Sequence, residues 1–212
     1  LNRFRPDCPY PGKSGVICIH LSAQGRSPDD LRMPRVLFIT TQDLGGTGGG
    51  NISTAEMVRA MATLDGVDLS LIAPAPDGPS PVPDSVSTYW LMSRDGDSTV
   101  WHLNYQPSMA LALGKALVCE RPSQVIARIG PSMLLPPILG LLPGVRYTAL
   151  VRGFVYRNLA VQRPVKAVLW ANTTLADEIY VSFEALADML EGLGVRGEVK
   201  VVPNAVDPAR FT

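Results

Sequence analysis

RVLFITTQDLGGTGGGNISTAEMVRAMATL, from Arg35 to Leu64, joins three kinds of sequence. It opens with RVLFITT, a continuous apolar run of strand length, rich in branched side chains. Such a run suits a parallel strand buried on both faces. It closes with STAEMVRAMATL, whose Ala55, Val58, Met61 and Ala62 fall on one helical face. Ser53 and Glu56 have the spacing of a capping box, which places the helix start there. Between strand and helix, five of the six residues from Gly45 to Gly50 are glycine. Bare backbone at that point has three readings: a cradle for phosphate, a contact surface for another ligand, or a flexible turn. The flanks favour the cradle. A helix N-terminus exposes unpaired amides and a partial positive charge, and glycine lets a ligand approach them and allows positive φ.

The same alternation recurs along the chain. VDLSLIAP (Val67–Pro74) reads as the second strand, ended by proline. A proline-rich loop follows. VSTYWLMS (Val86–Ser93) and STVWHLNY (Ser98–Tyr105) read as strands, paired as a hairpin across RDGD, and SMALALGKALVCE as a helix. QVIARIG (Gln124–Gly130) is a strand, and Pro131 is placed to open a helix. VRYTALVRGF (Val145–Phe154) is a strand and PVKAVLWANTTLA (Pro164–Ala176) a helix. DEIYVS is a strand, FEALADMLEGLG a helix closed by Gly192 or Gly194, and EVKVVPNAVD the last strand and its exit turn. Strand–helix alternation of this kind predicts an α/β fold with a Rossmann-like, doubly wound parallel sheet. Ligands on such sheets bind beyond the carboxyl ends of the strands.

The chain has 212 residues, 46% hydrophobic and 18% charged, with a formal net charge of zero. This is a globular composition, and its bulk charge names no nucleic-acid partner. Charge is unevenly placed, however. From Arg121 to Ala176 there is no acidic residue, against Arg121, Arg128, Arg146, Arg152, Arg157, Arg163 and Lys166. That segment could face phosphates or an anionic membrane surface, or it could be an ordinary solvated face. Cys8, Cys18 and Cys119 form no CxxC pair, and His20 and His102 stand far apart, so no zinc site is expected and His102 reads as structural. An odd cysteine count without a signal peptide predicts a cytoplasmic setting. The longest apolar stretch, MLLPPILGLLPG, is too short and proline-broken to span a bilayer, which takes roughly 20 apolar residues. Residues 1–32 lack the rhythm of the rest and read as a non-native or disordered extension, with Met33 the expected start. PGKS at Pro11–Ser14 is not a phosphate loop, because Asp7 stands where that motif needs its first glycine.

A dinucleotide site fits poorly. Gly46-Thr47-Gly48 begins the GxGxxG pattern, but Asn51 holds the third glycine's place. The second strand ends LIAP with no acid for a ribose; Asp77 lies beyond two prolines. An NAD-dependent oxidoreductase is therefore disfavoured.

DEIYVSFEALADMLEGLGVRGEVKVVPNAVDPARF (Asp177–Phe211) resembles the domain junction of family 4 glycosyltransferases of the GT-B fold. Members of that family run from a strand ending in serine through a helix and a further strand to PNGVD and RF. Here the signature is Pro203-Asn204-Ala205-Val206-Asp207 with Arg210 and Phe211, alanine standing where glycine is usual. The stretch Arg35–Ala62, ARIGPSMLLPPILGLL and YTALVRG resemble the family's earlier elements in the same order. The resemblance covers Met33 to Thr212, with residues 75–123 poorly matched. It implies a GT-B N-terminal, acceptor-side domain at residues 33–202 and the start of an interdomain linker at residues 203–212, including Asn204 and Asp207. The C-terminal donor domain would be absent and this half inactive alone. The implied reaction moves a sugar, with retention, from a UDP- or GDP-sugar to a glycan, lipid-linked or small acceptor, without a metal or other cofactor. Gly46, Gly48, Gly49 and Gly50 would approach the donor diphosphate. Arg128 and Arg152 would meet the acceptor or the sugar. The implied setting is cytoplasmic, with peripheral contact at the inner face of a membrane. A non-catalytic partner of a split glycosyltransferase and half of a sugar-nucleotide epimerase remain open beside this reading.

Overall fold

The computed structural model describes residues 33–92, 99–130, 132–152, 163–195 and 197–203. Strands are β1 (Arg35–Ile39), β2 (Asp68–Pro74), β3 (Ser87–Leu91), β4 (Gln124–Arg128), β5 (Arg146–Val151), β6 (Glu178–Val181) and β7 (Val199–Val201). Helices are α1 (Gly49–Ala62), α2 (Thr99–Cys119), α3 (Arg163–Thr174) and α4 (Glu184–Gly192), with a 3₁₀ turn at Pro136–Leu141. The strands form one sheet in the order β3-β2-β1-β4-β5-β6-β7, and every pairing is parallel. This is the α/β, Rossmann-like, doubly wound sheet that the alternation predicts.

Strand parity sorts the core into two layers. Leu37, Ile39, Val125, Ala127, Tyr147, Ala149, Ile179 and Val181 face one way. They pack under Tyr105 and Met109 of α2, Leu139 of the 3₁₀ turn, Val168 and Leu169 of α3, and Leu186 and Leu190 of α4. Val36, Phe38, Leu69, Leu71, Ala73, Ile126, Leu150 and Tyr180 face the other way, where Ala55, Met57, Val58 and Met61 of α1 lie. The α1 face predicted from Ala55, Val58 and Met61 is therefore the buried one. Each large side chain placed there contributes roughly 1.5–3 kcal/mol of hydrophobic stabilisation.

Three local expectations are corrected. First, α1 begins at Gly49, four residues before Ser53. Gly48 is extended and serves as the cap, and Ile52 N–H donates to its carbonyl at 3.0 Å. Ser53 lies inside the helix, and Glu56 pairs with Arg59 instead of closing a capping box. Second, β3 forms no hairpin with the segment after it; it lies parallel beside β2. Residues Thr99 to Tyr105 belong to α2, which runs through Pro107. The buried Tyr105, Met109, Ala112, Leu113 and Ala116 carry a helical period across that proline. Third, Pro131 itself lies outside the described residues, and the chain beyond it forms a single 3₁₀ segment before β5. Pro136 and Pro137 remove two donors in succession. Gly140 sits so close to the Leu175 carbonyl that a Cβ there would come within 2.2 Å of it. Gly194, with φ +77, closes α4 as expected.

Candidate functional site

The chain reverses its direction of winding between β1 and β4, which are neighbours in the sheet although β2, β3 and α2 intervene in sequence. Connections leave these two strands toward opposite sides, so a crevice opens beyond their carboxyl ends. The glycine stretch lies there, between β1 and α1.

That stretch is not a loose turn. Thr40 N–H bonds Ile72 O at 2.9 Å, and Gln42 N–H bonds Thr40 Oγ1 at 3.0 Å. Asp43 accepts from Gly45 N–H at its Oδ1 (2.9 Å) and from Gly46 N–H at its carbonyl (3.2 Å). Leu44 is buried against the α1 side of the core and anchors the segment. Among the described glycines only Gly66, Gly144 and Gly194 have positive φ. The glycines from Gly45 to Gly50 thus adopt backbone that any residue could adopt, and they serve to clear side chains.

What each one clears differs. A Cβ on Gly46 would strike Asn51 Nδ2 at 2.2 Å, so its space is taken by the Asn51 amide folding back over the turn. A Cβ on Gly50 would lie 3.2 Å from Arg128 Nη2 and 3.3 Å from Gln42 Oε1. A Cβ on Gly48 would make ordinary contact with Asn51, and one on Gly49 would meet nothing within 4 Å. The first helical bond is made by Ile52, so the amides of Gly49, Gly50 and Asn51 have no partner within the helix. They carry the positive end of α1.

Arg128 is the last residue of β4 and only 7% exposed. Its Nη1 donates to Gly50 O at 2.7 Å, tying the first turn of α1 to the sheet. The same carbonyl accepts from Thr54 Oγ1 at 2.7 Å. Burial, and after it the nearby charge of Arg152, lowers the Arg128 guanidinium from its usual range to about 10, which leaves it charged at neutral pH. Arg152, just past β5, is likewise buried, and desolvation lowers it too. On the other flank, a Cβ on Gly130 would come within 2.5 Å of Thr41 Oγ1, so β1 and β4 approach closely at their ends.

The glycines and both arginines named from the sequence therefore meet at one edge. Asn204 and Asp207 lie outside the described residues. Sequence reasoning did not single out Thr41, Gln42 or Gly130, and it marked Asn51 only as a break in the dinucleotide pattern. Their one signal was position, at a strand end or just inside the first helical turn. No acid closes β2, whose Ile72, Ala73 and Pro74 are buried, and Pro76 packs where a Gly45 side chain would go. A cavity of about 300 Å³ lined by Trp170, Thr174, Gly194 and Gly197 lies elsewhere, before the amino ends of β6 and β7.

No protein-family model matches the sequence, and no curated protein matches it. Solved structures do. The sucrose-phosphate synthase of Thermosynechococcus elongatus superposes with a TM-score of 0.65 at 13% identity, over 80% of this chain and 48% of that one. The N-terminal domain of Candida albicans trehalose-6-phosphate phosphatase gives 0.56 at 13%, over 84% and 50%. Phytolacca americana UGT2, complexed with UDP-2fluoro-glucose and pterostilbene, gives 0.52 at 14%, over 80% and 54%. At these identities the likeness is one of fold. The chain spans about half the length of the solved structures it matches.

Proposed function

We propose that this chain is the acceptor-side domain of a nucleotide-sugar-dependent glycosyltransferase of GT-B type. The observation that carries the reading is the first turn of α1: amides cleared of side chains, braced by Arg128 and presented at the sheet's switch point. The resemblance of residues 177–211 to the family's domain junction supports it. So does the fold shared with a sucrose-phosphate synthase and with a protein complexed with UDP-2fluoro-glucose.

In this reading a second domain holds the UDP- or GDP-sugar and brings its diphosphate against Gly48, Gly49 and Gly50 across a cleft. Fixed backbone donors there stabilise the departing diphosphate without reorganising during the reaction. Arg128 and Arg152 line the acceptor side. The chain supplies positioning and electrostatics, with no side chain here acting as acid or base, and transfer proceeds with retention and without a metal. Alone, the chain does not transfer sugar.

Titration of isotopically labelled chain with UDP is the test. Amide shifts at Gly48, Gly49, Gly50 and Asn51 are expected to move first and to saturate. Unmoved amides in that turn, with shifts elsewhere or none, would remove the donor-diphosphate role.

A further inference from the structure

The two borders of the sheet are finished differently. β7 is three residues long and carries Lys200, with Glu198 just before it. A short, charged border resists further strand pairing. β3 is the opposite border, and among the described residues no strand pairs with its outer side. From Val86 to Ser93 the sequence holds no charge and no proline.

Strand alternation fixes which backbone groups of β3 are open. The N–H and C=O of one residue point to the same side, and successive residues alternate. Leu91 O accepts from Ala75 N–H at 3.1 Å, on the β2 side. Ser87 and Tyr89 therefore face β2 as well, while Val86, Thr88, Trp90 and Met92 face outward. The outermost of these are capped within the chain. Thr88 Oγ1 donates to Val86 O at 3.1 Å, and Met92 N–H donates to Ser108 Oγ of α2 at 3.2 Å. The N–H and C=O of Thr88 and Trp90 are left open to pairing. Apolar surface flanks them: Trp90 is 41% exposed, and on α2 Leu111 is 68% and Val118 74% exposed.

We propose that β3 is the seam of a two-fold homodimer, in which the β3 strands of two copies pair antiparallel about Tyr89 and one sheet runs through both. This register sets Thr88 of each copy opposite Trp90 of the other, so the open groups of one edge meet the open groups of its twin. A two-fold seam needs such a self-complementary edge. Charge agrees with it. α2 runs antiparallel to β3, since Ser108 meets Met92 and Glu120 accepts from Tyr89 O–H. About the two-fold axis the α2 helices flank the seam on one face, antiparallel to each other. The exposed Lys115 of each copy then lies toward the Glu120 end of the other. A stable interface takes about 20–30 residues a side; one strand and one helix face offer fewer, so the dimer is expected to dissociate in the micromolar range. β3 lies two strands from β1, so this seam and the donor turn of α1 can fail separately.

Sedimentation velocity of the 212-residue chain over a concentration series is the test, with amide hydrogen exchange at both ends of the series. The mass should double as concentration rises, and the Thr88 and Trp90 amides should gain protection in step. Trp90→Lys sets a charge in the seam and should weaken the dimer at least about tenfold. Thr88→Pro removes an outward donor at a border position that tolerates proline, and should act the same way. Ile138→Lys, at an exposed apolar position of the 3₁₀ turn, should leave the dimer unchanged. Melting curves identify any variant that fails to fold. A single-chain mass at every concentration overturns the proposal. So does a dimer that folded Trp90→Lys or Thr88→Pro leaves intact. Protection of the Thr88 and Trp90 amides in the dilute monomer overturns it too, and gives the edge to another segment of the same chain.

Discussion

Gly49 separates the needs of the fold from those of the site. It lies in the first turn of α1, at ordinary backbone angles, with open space where a Cβ would go. Gly49→Ala is therefore expected to stabilise the chain by roughly 0.5 kcal/mol, by restricting the unfolded state. UDP-induced shifts in the same turn should weaken, because the new methyl stands where a phosphate would approach. Thermal melts and the titration together check this; a variant both less stable and unaltered in binding would mean the clearance serves something else. Asn172 is a purely structural counterpart. Its Oδ1 accepts from Tyr147 O–H at 2.6 Å, and its Nδ2 donates to Met133 O and Val168 O, each at 2.8 Å, with the residue fully buried. Asn172→Ala strands the Tyr147 hydroxyl and the Met133 carbonyl, at a cost of about 2–4 kcal/mol. Chemical denaturation should report that loss with UDP shifts retained in whatever fraction stays folded.

Elements were legible where one period held without interruption. β1, β2, β4, β5 and β6 are short apolar runs bounded by turn residues, and each reads directly as a buried parallel strand. Reading failed where a local signal contradicted the tertiary pattern. Ser53 and Glu56 mimic a cap, but a glycine at the true start, Gly48, caps with its backbone alone and leaves no side-chain signature. Pro107 looks like a boundary, yet α2 continues through it because the Tyr105, Met109, Leu113 and Ala116 face is buried against the sheet. Pro107 is exposed and removes one helical donor. Pro107→Ala is thus expected to raise stability by about 1–2 kcal/mol, net of the unfolded-state entropy that proline saves. An unchanged melting temperature would show that α2 has already adapted to the ring. The site was half legible for a related reason. The clustered glycines and the arginines announce themselves by type and number, whereas Thr41 and Gln42 are ordinary residues, and Gly130 a lone glycine, that the adjacency of β1 and β4 brings to the site.

Across the whole molecule, the sheet sorts the basic segment into two groups. Arg121 and Arg146 precede or open strands, at the amino edge, while Arg128 and Arg152 close or follow them at the other. The described arginines thus form no single docking face, and among the described residues no helix is long and apolar enough to cross a membrane. At the amino edge Arg146 meets the buried Glu178 at 2.9 Å, and Lys200 joins it at 3.1 Å, linking β5, β6 and β7. Both cations are part-exposed and can turn to water, so Glu178→Gln should cost only about 1–2 kcal/mol, measurable by urea titration. The central place of β1 carries a consequence for synthesis. Ser123 N–H, at the entrance to β4, closes onto the Arg35 carbonyl at 2.9 Å across a separation of 88 residues. At roughly 5–20 residues per second, a ribosome delivers that partner some 4–18 s after β1 emerges. Through that interval β1 carries an unpaired edge in the middle of what will become the sheet. Nascent chains are then open to strand pairing with one another, and chaperone dependence should concentrate in this window.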